Sequence, residues 1–243
     1  MPDNQKTLLL DGDQIVWKVC AACEYEVNWG RGIWSLYSDE STMLQTAMNV
    51  VTNARHNVPE STHIKMAFSS STNFRKDLDP NYKGQRSKRK PLGFTWLRDV
   101  MTEQYKAETW EGLEADDVIG IWAVEDPESV IWATDKDYLT VPCNLYQSGV
   151  LRHITEEQAD KNLMIQTITG DTADNYKGVK GYGPKKATDW LDKQGYTWQA
   201  VYDLFIKNKQ TEDEFVTNAK LARILRSKED INWRPQYENK ETT

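Results

Sequence analysis

From Gly170 to Ala187 the chain reads Gly-Asp-Thr-Ala-Asp-Asn-Tyr-Lys-Gly-Val-Lys-Gly-Tyr-Gly-Pro-Lys-Lys-Ala. Two carboxylates, Asp171 and Asp174, stand ahead of a glycine-rich turn that opens a predicted helix carrying Lys185 and Lys186. Carboxylate oxygens hold hard divalent cations. Glycines such as Gly181 and Gly183 let the main chain turn tightly and approach a ligand closely. Pro184 suits a first helical turn, whose free N–H groups form an anion site. Lys177, Lys180, Lys185 and Lys186 add cations, with no acid between Lys177 and Lys186. Acids for metal beside a hairpin for phosphate point to metal-dependent cutting of nucleic acid. Taken alone, the segment also reads as an ordinary basic turn.

Further acids occupy comparable places. Thr7–Leu10 is a short apolar run that stops at Asp11, the pattern of a buried strand delivering an acid at its C-terminal end. Glu114 and Asp117 are three apart and share one helix face, with Asp116 between them. Asp135 and Asp137 alternate just past a predicted strand, 129–134. Each pair by itself reads as solvated surface. Clustered carboxylates, however, cannot all stay ionised without cations. Oxygen-only ligands suit Mg²⁺ or Mn²⁺ rather than zinc. Cys20, Cys23 and Cys143 make no disulfide framework and read as reduced thiols.

These residues need a scaffold. Helical patterns cover 15–26, 42–56, 93–105 and 114–125, the last with Ala115, Val118, Ile119, Trp122 and Ala123 along one face. Strand patterns cover 63–68, 129–134 and 144–147. Thr155 with Gln158 forms a capping box for a helix to about 168. Helices continue to about 226, one of them carrying Ala187, Trp190 and Leu191 and stopping before Gly195. The polar stretch 73–92 reads as a surface excursion. This alternation predicts an α/β fold, a mostly parallel central sheet flanked by helices, followed by a helical region. Ligands of such sheets lie outside the carboxyl ends of the strands. The expected division is a nuclease-like core, 1–155, carrying the basic stretch 73–92. A helical region, 156–243, would carry the glycine-lysine hairpin 177–186 and pack on that core as one compact unit.

The chain has 243 residues, room for one large domain or two small ones, and a net charge of −7. That sign is wrong for a generic nucleic-acid coat protein, but it suits an enzyme with acids at metals and bases on one side. No apolar run has transmembrane length and no signal-peptide pattern opens the chain, so a cytoplasmic protein is expected, with no membrane partner.

The order of the pieces resembles the 5′-nuclease family of flap endonucleases and 5′→3′ exonucleases, and within it the bacteriophage T7-type exonuclease branch. The matching pieces are Leu10-Asp-Gly-Asp13, Asn73-Phe-Arg-Lys76, Asp79-Pro-Asn-Tyr-Lys-Gly-Gln-Arg86, Leu113-Glu-Ala-Asp-Asp-Val118, Thr134-Asp-Lys-Asp137, the segment 170–187 and the final Asn232-Trp-Arg-Pro235. The resemblance implies a PIN-like fold and a two-metal phosphodiesterase. Asp11, Glu114, Asp116 and Asp117 would bind the first ion. Asp135, Asp137, Asp171 and Asp174 would bind or orient the second. Lys83 and Arg86 would act at the scissile phosphate beside Asp11 and Asp117. Tyr82 would stack on a base near the 5′ end. Arg75, Lys76, Lys88, Arg89 and Lys90 would complete a basic gateway, too short for a long helical arch. Lys180, Gly181, Gly183, Lys185 and Lys186, with Gly178, would form a helix-hairpin-helix-type grip on the duplex, with K⁺ on its carbonyls. Expected partners are duplex DNA with 5′ ends, nicks, gaps or flaps, and RNA–DNA hybrid in a primer-removal role, met by a monomer in the host cytoplasm if the chain is phage-encoded.

One departure stands out. The family often has an acid after the second strand, where this chain has Ser69, Ser70 and Ser71. A catalytically weakened, structure-specific DNA-binding protein is therefore one alternative. Another is a haloacid-dehalogenase-like phosphatase, suggested by Leu10-Asp-Gly-Asp13, although Ile15 stands where that motif wants Thr or Val.

Overall fold

A computed structural model describes residues 6–86 and 89–238. In chain order the elements are β1 Lys6–Asp11, α1 Gly12–Cys23, β2 Tyr25–Asn28, β3 Trp34–Tyr37, α2 Glu40–Asn57, β4 Ser61–Ala67, α3 Arg75–Leu78, α4 Phe94–Tyr105, α5 Ala115–Glu125, β5 Val130–Trp132, β6 Cys143–Gln147, β7 Val150–Ile154, α6 Glu156–Thr169, β8 Gly170–Asp171, β9 Tyr176–Lys177, α7 Pro184–Gln194, α8 Trp198–Lys207 and α9 Glu212–Ala222. Two 3₁₀ turns, Lys136–Thr140 and Lys228–Asn232, complete the set. No described helix is long and apolar enough to cross a membrane.

Contacts divide the described residues into two compact units. One takes its residues from 1–72, 87–135 and 143–153, the other from 73–86, 136–142 and 154–243.

The first unit is built on a five-stranded sheet in the order β4-β1-β5-β6-β7. β4, β1, β5 and β6 run parallel to their neighbours. β7 follows β6 through Ser148 and Gly149, both at positive φ (52° and 83°), the conformation that reverses a chain in two residues. Leu8 and Leu10 of β1 face a core shared with Val16 and Val19 of α1, Met43, Ala47 and Val51 of α2, and Leu97 and Met101 of α4. α5 packs against β1, β4, β5 and β6. It is buried almost all round, at Val118, Ile119, Ile121, Trp122 and Ala123, rather than along the single face that the apolar pattern predicts. A helix buried on every side reads as apolar throughout, and its stripe carries no direction.

The helix expected to run through Glu26 stops at Cys23. Glu24 turns extended (ψ 128°), and its carboxylate accepts from Arg89 and from the Leu92 N–H. Tyr25 and Glu26 then pair with Tyr37 and Leu36 in an antiparallel ribbon, β2–β3. Most of that ribbon is exposed, including Tyr25, Trp29, Ile33, Trp34, Leu36 and Tyr37.

The second unit gathers α6, α7, α8 and α9 around Ile168, Ala187, Leu191, Val201, Leu204, Phe205 and Phe215. Thr155 and Gln158 form the expected capping box of α6, and α7 ends at Gly195 with φ +91°. Between α6 and α7 lies a two-residue ribbon, β8–β9. It is closed by glycine on both sides: a Cβ on Gly170 would lie 2.1 Å from the Gly178 nitrogen, and one on Gly178 would lie 2.1 Å from the Ile168 carbonyl.

The segment 73–86, part of the stretch 73–92 expected as a surface excursion, falls within this unit. Its Arg75 donates to the carbonyls of Leu221 and Arg223, and its Tyr82 packs with Leu163, Tyr176 and Leu221.

Candidate active site

Register sets the first group of acids. Asp11 pairs with Ala67, and Leu10 with Trp132, so β1, β4 and β5 end level at one edge. Asp11 closes β1 and caps α1, its Oδ1 accepting from the Gln14 N–H at 2.9 Å. The next residue must be small: a Cβ on Gly12 would meet the Phe68 ring at 2.6 Å. Asp135 follows β5 with an exposed side chain, and its main-chain carbonyl accepts from Gln147 Nε2 at 2.8 Å.

Glu114 is the N-cap of α5 and forms a reciprocal capping box with Asp117. Asp117 is fully buried, and its N–H donates to Asp116 Oδ1 at 2.9 Å. The ligand atoms of Glu114, Asp116 and Asp117 all lie within 4.8 Å of one another. The N-terminal dipole of α5 favours anions there. Three carboxylates at that spacing, two of them buried, are a donor set that fits a hard divalent cation.

The serine in place of a family acid has a defined role. Ser69 Oγ accepts from Ala115, the first N–H of α5, at 3.0 Å. Its own N–H donates to Asp13 Oδ2 at 2.6 Å, and its carbonyl accepts from Arg98 at 2.8 Å. Ser69 thus ties the end of β4 to α1, α4 and α5. Neither Ser69 nor Asp13 belongs to the candidate residues read from the sequence, because this knot forms only when the sheet edge assembles.

The second unit holds the other acids. Asp171 accepts from the N–H groups of Ala173 (2.7 Å) and Asp174 (3.3 Å) and pairs with Lys136 at 3.2 Å. Burial pushes its pKa up, but the Ala173 N–H and Lys136 outweigh that and hold it below the usual carboxylate range. Tyr176 is buried beside the charges of Asp137, Asp171 and Asp174, and burial first, then those charges, drive its phenol far above its ordinary value. A neutral tyrosine thus marks where the three acids gather.

Asp174 is where acids and gateway meet. Its Oδ2 accepts from the Tyr82 hydroxyl at 3.0 Å and lies 3.7 Å from Lys83 Nζ. Its Oδ1 pairs with Arg86. Its carbonyl accepts from the Lys83 N–H at 2.8 Å, holding Lys83 at a left-handed φ of 56°. Lys83 and Arg86 therefore stand together on one carboxylate.

Two gateway residues are corrected. Tyr82 is 3% exposed, its ring is packed in a core cluster, and no face is open to a base. Arg75 is 2% exposed and bonded to carbonyls, so it reaches no solvent phosphate. Lys76 is exposed. Arg89 is held in a two-point pair by Glu24, whose carboxyl that guanidinium brings down to about 2. Lys90 lies 4.6 Å over the Phe94 ring. Lys88 falls outside the described residues.

In the hairpin, Lys180, Gly181, Gly183, Lys185 and Lys186 are exposed, and Lys186 Nζ donates to the Gly181 carbonyl at 3.0 Å. Gly181 takes the left-handed φ of 82°, whereas Gly183 is extended (φ −88°) and caps α7.

Comparison with known proteins identifies the family. Residues 6–169 match the family described as the 5′-3′ exonuclease, N-terminal resolvase-like domain. The chain is similar to an exonuclease of Escherichia phage T7, 29% identical over 96% of this chain and 95% of that one. It is also similar to a flap endonuclease Xni of Shewanella baltica, 26% identical over 76% and 74%. Among solved structures, the T5 D15 protein co-crystallised with metal ions superposes with a TM-score of 0.64, covering 90% of this chain and 89% of that one at 15% identity, a likeness of fold.

Proposed function

The chain belongs to the 5′-3′ exonuclease family, and from that premise we infer that it is a metal-dependent 5′→3′ exonuclease acting at the 5′ ends, nicks, gaps or flaps of duplex DNA. The observation that carries this reading is the trio Glu114, Asp116 and Asp117 within 4.8 Å at the start of α5, beside the strand edge that carries Asp11.

Asp11, Glu114, Asp116 and Asp117 would hold one divalent ion, Mg²⁺ or Mn²⁺. Asp135, Asp137, Asp171 and Asp174 would bind or orient a second. Bound there, such ions supply Lewis-acid stabilisation and a bound water of lowered pKa. Lys83 and Arg86 then place positive charge where the phosphate becomes more negative. Asp174 and the tight turn Asn81–Gly84 hold Lys83 in place beforehand, so its orientation costs little at the moment of reaction. Lys180, Lys185 and Lys186 grip the phosphate backbone of the duplex at the α6–α7 hairpin, in a helix-hairpin-helix-type arrangement. K⁺ on the hairpin carbonyls would compete with Lys186 for the Gly181 oxygen. Cleavage of RNA–DNA hybrid, a monomeric state and action in the host cytoplasm complete the proposal.

The test is a cleavage assay on 5′-labelled blunt, nicked, flapped and hybrid duplexes, with Mg²⁺, Mn²⁺ or EDTA, beside a small phosphate ester. Stepwise release from the 5′ end in Mg²⁺ supports the reading. Turnover of the ester alone would favour a phosphatase. Structure-specific binding without cleavage would favour a weakened site, the reading that Ser69 suggests.

A further inference from the structure

Arg75 is the largest fully buried side chain of the described residues, and burying a guanidinium is costly unless its donors are satisfied. Two of its donors reach the C-terminal end of α9. Nε donates to the Leu221 carbonyl at 3.3 Å and Nη2 to the Arg223 carbonyl at 2.6 Å. The last carbonyls of a helix lack intrahelical partners and sit at the negative end of its dipole, so a cation there is favoured. Arg75 therefore caps α9 from a distant point in the chain.

The other side of the same guanidinium faces the gateway. Its carbon lies 4.7 Å from the Phe74 ring centroid and 6.0 Å from that of Tyr82. The Asn73 side chain fixes the start of α3 by accepting from the Arg75 N–H at 2.9 Å. Tyr82 passes the constraint on: its hydroxyl binds Asp174, and the next residue, Lys83, donates its N–H to the Asp174 carbonyl. A second strap, Asn175 Nδ2 to the Asn81 carbonyl at 2.9 Å, runs alongside. α9, Arg75, Tyr82, Asp174 and Lys83 thus form one continuous line of contact.

We propose that Arg75 is a positioning residue for Lys83: it touches no substrate, and it holds the Tyr82–Lys83 turn against Asp174 by anchoring α3 to the end of α9. The proposal rests on the nuclease reading and adds to it. It also reassigns a residue whose place in a basic run suggests a phosphate contact.

A double-mutant cycle tests it. Single-turnover cleavage at saturating duplex in Mg²⁺ is measured for the full-length protein, Arg75→Met, Lys83→Ala and the pair, with thermal unfolding as a check of folding. A misplaced catalytic group costs about 10² in rate, which is the loss expected for Arg75→Met. If Arg75 acts through Lys83, adding Arg75→Met to Lys83→Ala costs little more than Lys83→Ala alone. Independent, multiplying losses overturn the proposal. Should Arg75→Met not fold, Arg75→Lys takes its place in the cycle, since it keeps the charge without the two-pronged fork. Binding against salt gives a second readout. The slope should stay at the wild-type value, whereas a direct phosphate contact would lower it by about 0.9 on removal, and that result also overturns the proposal. A wild-type protein that cleaves nothing would remove the nuclease reading and the proposal together. An active wild type with a multiplicative cycle would remove the proposal alone.

Discussion

The hydroxyl of Tyr82 donates to Asp174 Oδ2 at 3.0 Å, so the aromatic residue of the gateway is bolted to a carboxylate 92 positions further along the chain. The same carboxylate engages Lys83 and Arg86. One acid therefore sets the spacing of the group proposed to act on phosphate.

If Tyr82 is a core residue, its loss shows in stability. Tyr82→Ala should destabilise the protein by about 3–5 kcal/mol, the usual range for a buried large aromatic. Urea unfolding checks this. A variant as stable as wild type would return Tyr82 to the surface and to a stacking role.

Asp117 is the N3 member of the α5 capping box, accepting from the Glu114 N–H, and belongs to the acid trio. Asp117→Asn keeps an acceptor for the cap but removes a negative charge. Cleavage in Mg²⁺ should fall by at least about 10², in line with the loss of a principal electrostatic contact, while the helix loses at most about 1 kcal/mol. Single-turnover rates and unfolding midpoints, measured side by side, separate the two effects.

Asp171 has a depressed pKa in the folded protein, from the Ala173 N–H and Lys136 acting against burial. A depressed carboxylate contributes stability above its unfolded pKa, near 3.9, and loses it as pH falls through the lower folded value. Urea midpoints should therefore decline as pH drops from about 5 towards 2. Asp171→Asn should be less stable at neutral pH and should decline less steeply. Equal slopes for the two proteins would show that Asp171 is not linked to folding.

Lys185 and Lys186 stand exposed at the start of α7. Replacing both with Ala should weaken duplex binding equally across sequences, since phosphate contacts carry no base information. The salt slope should fall by about 0.9 per lost contact. Very short duplexes that cannot reach the hairpin should bind as before. Titrations of long and short duplexes against salt decide the matter.

The parts of the molecule legible in the sequence are those set by local chemistry. Leu8–Leu10 marks a buried strand that ends on Asp11, Thr155 with Gln158 marks the start of α6, and Gly195 marks the stop of α7. The illegible parts depend on partners far away in the chain. Arg75 and Tyr82 look like surface residues because they stand in a basic, polar stretch, and they are buried by partners distant in the chain: the end of α9 for Arg75, and Leu163, Tyr176 and Leu221 for Tyr82. Ser69 looks like a missing acid until the first N–H of α5 arrives at its hydroxyl. Tyr25 and Glu26 extend a helical pattern until Leu36 and Tyr37 return to pair with them.

That last pairing has a consequence for how the molecule opens. A two-stranded ribbon standing alone is marginally stable in water. The β2–β3 ribbon is exposed along most of its length, and its Gly30 and Gly32 have no atom within 4 Å of a would-be Cβ. Its free energy of opening should therefore lie far below that of the parallel sheet. In native-state hydrogen exchange the amides of Tyr25–Asn28 should trade deuterium early, while those of Leu8–Leu10 stay protected. A protease given the native protein should make its first cut near Arg31.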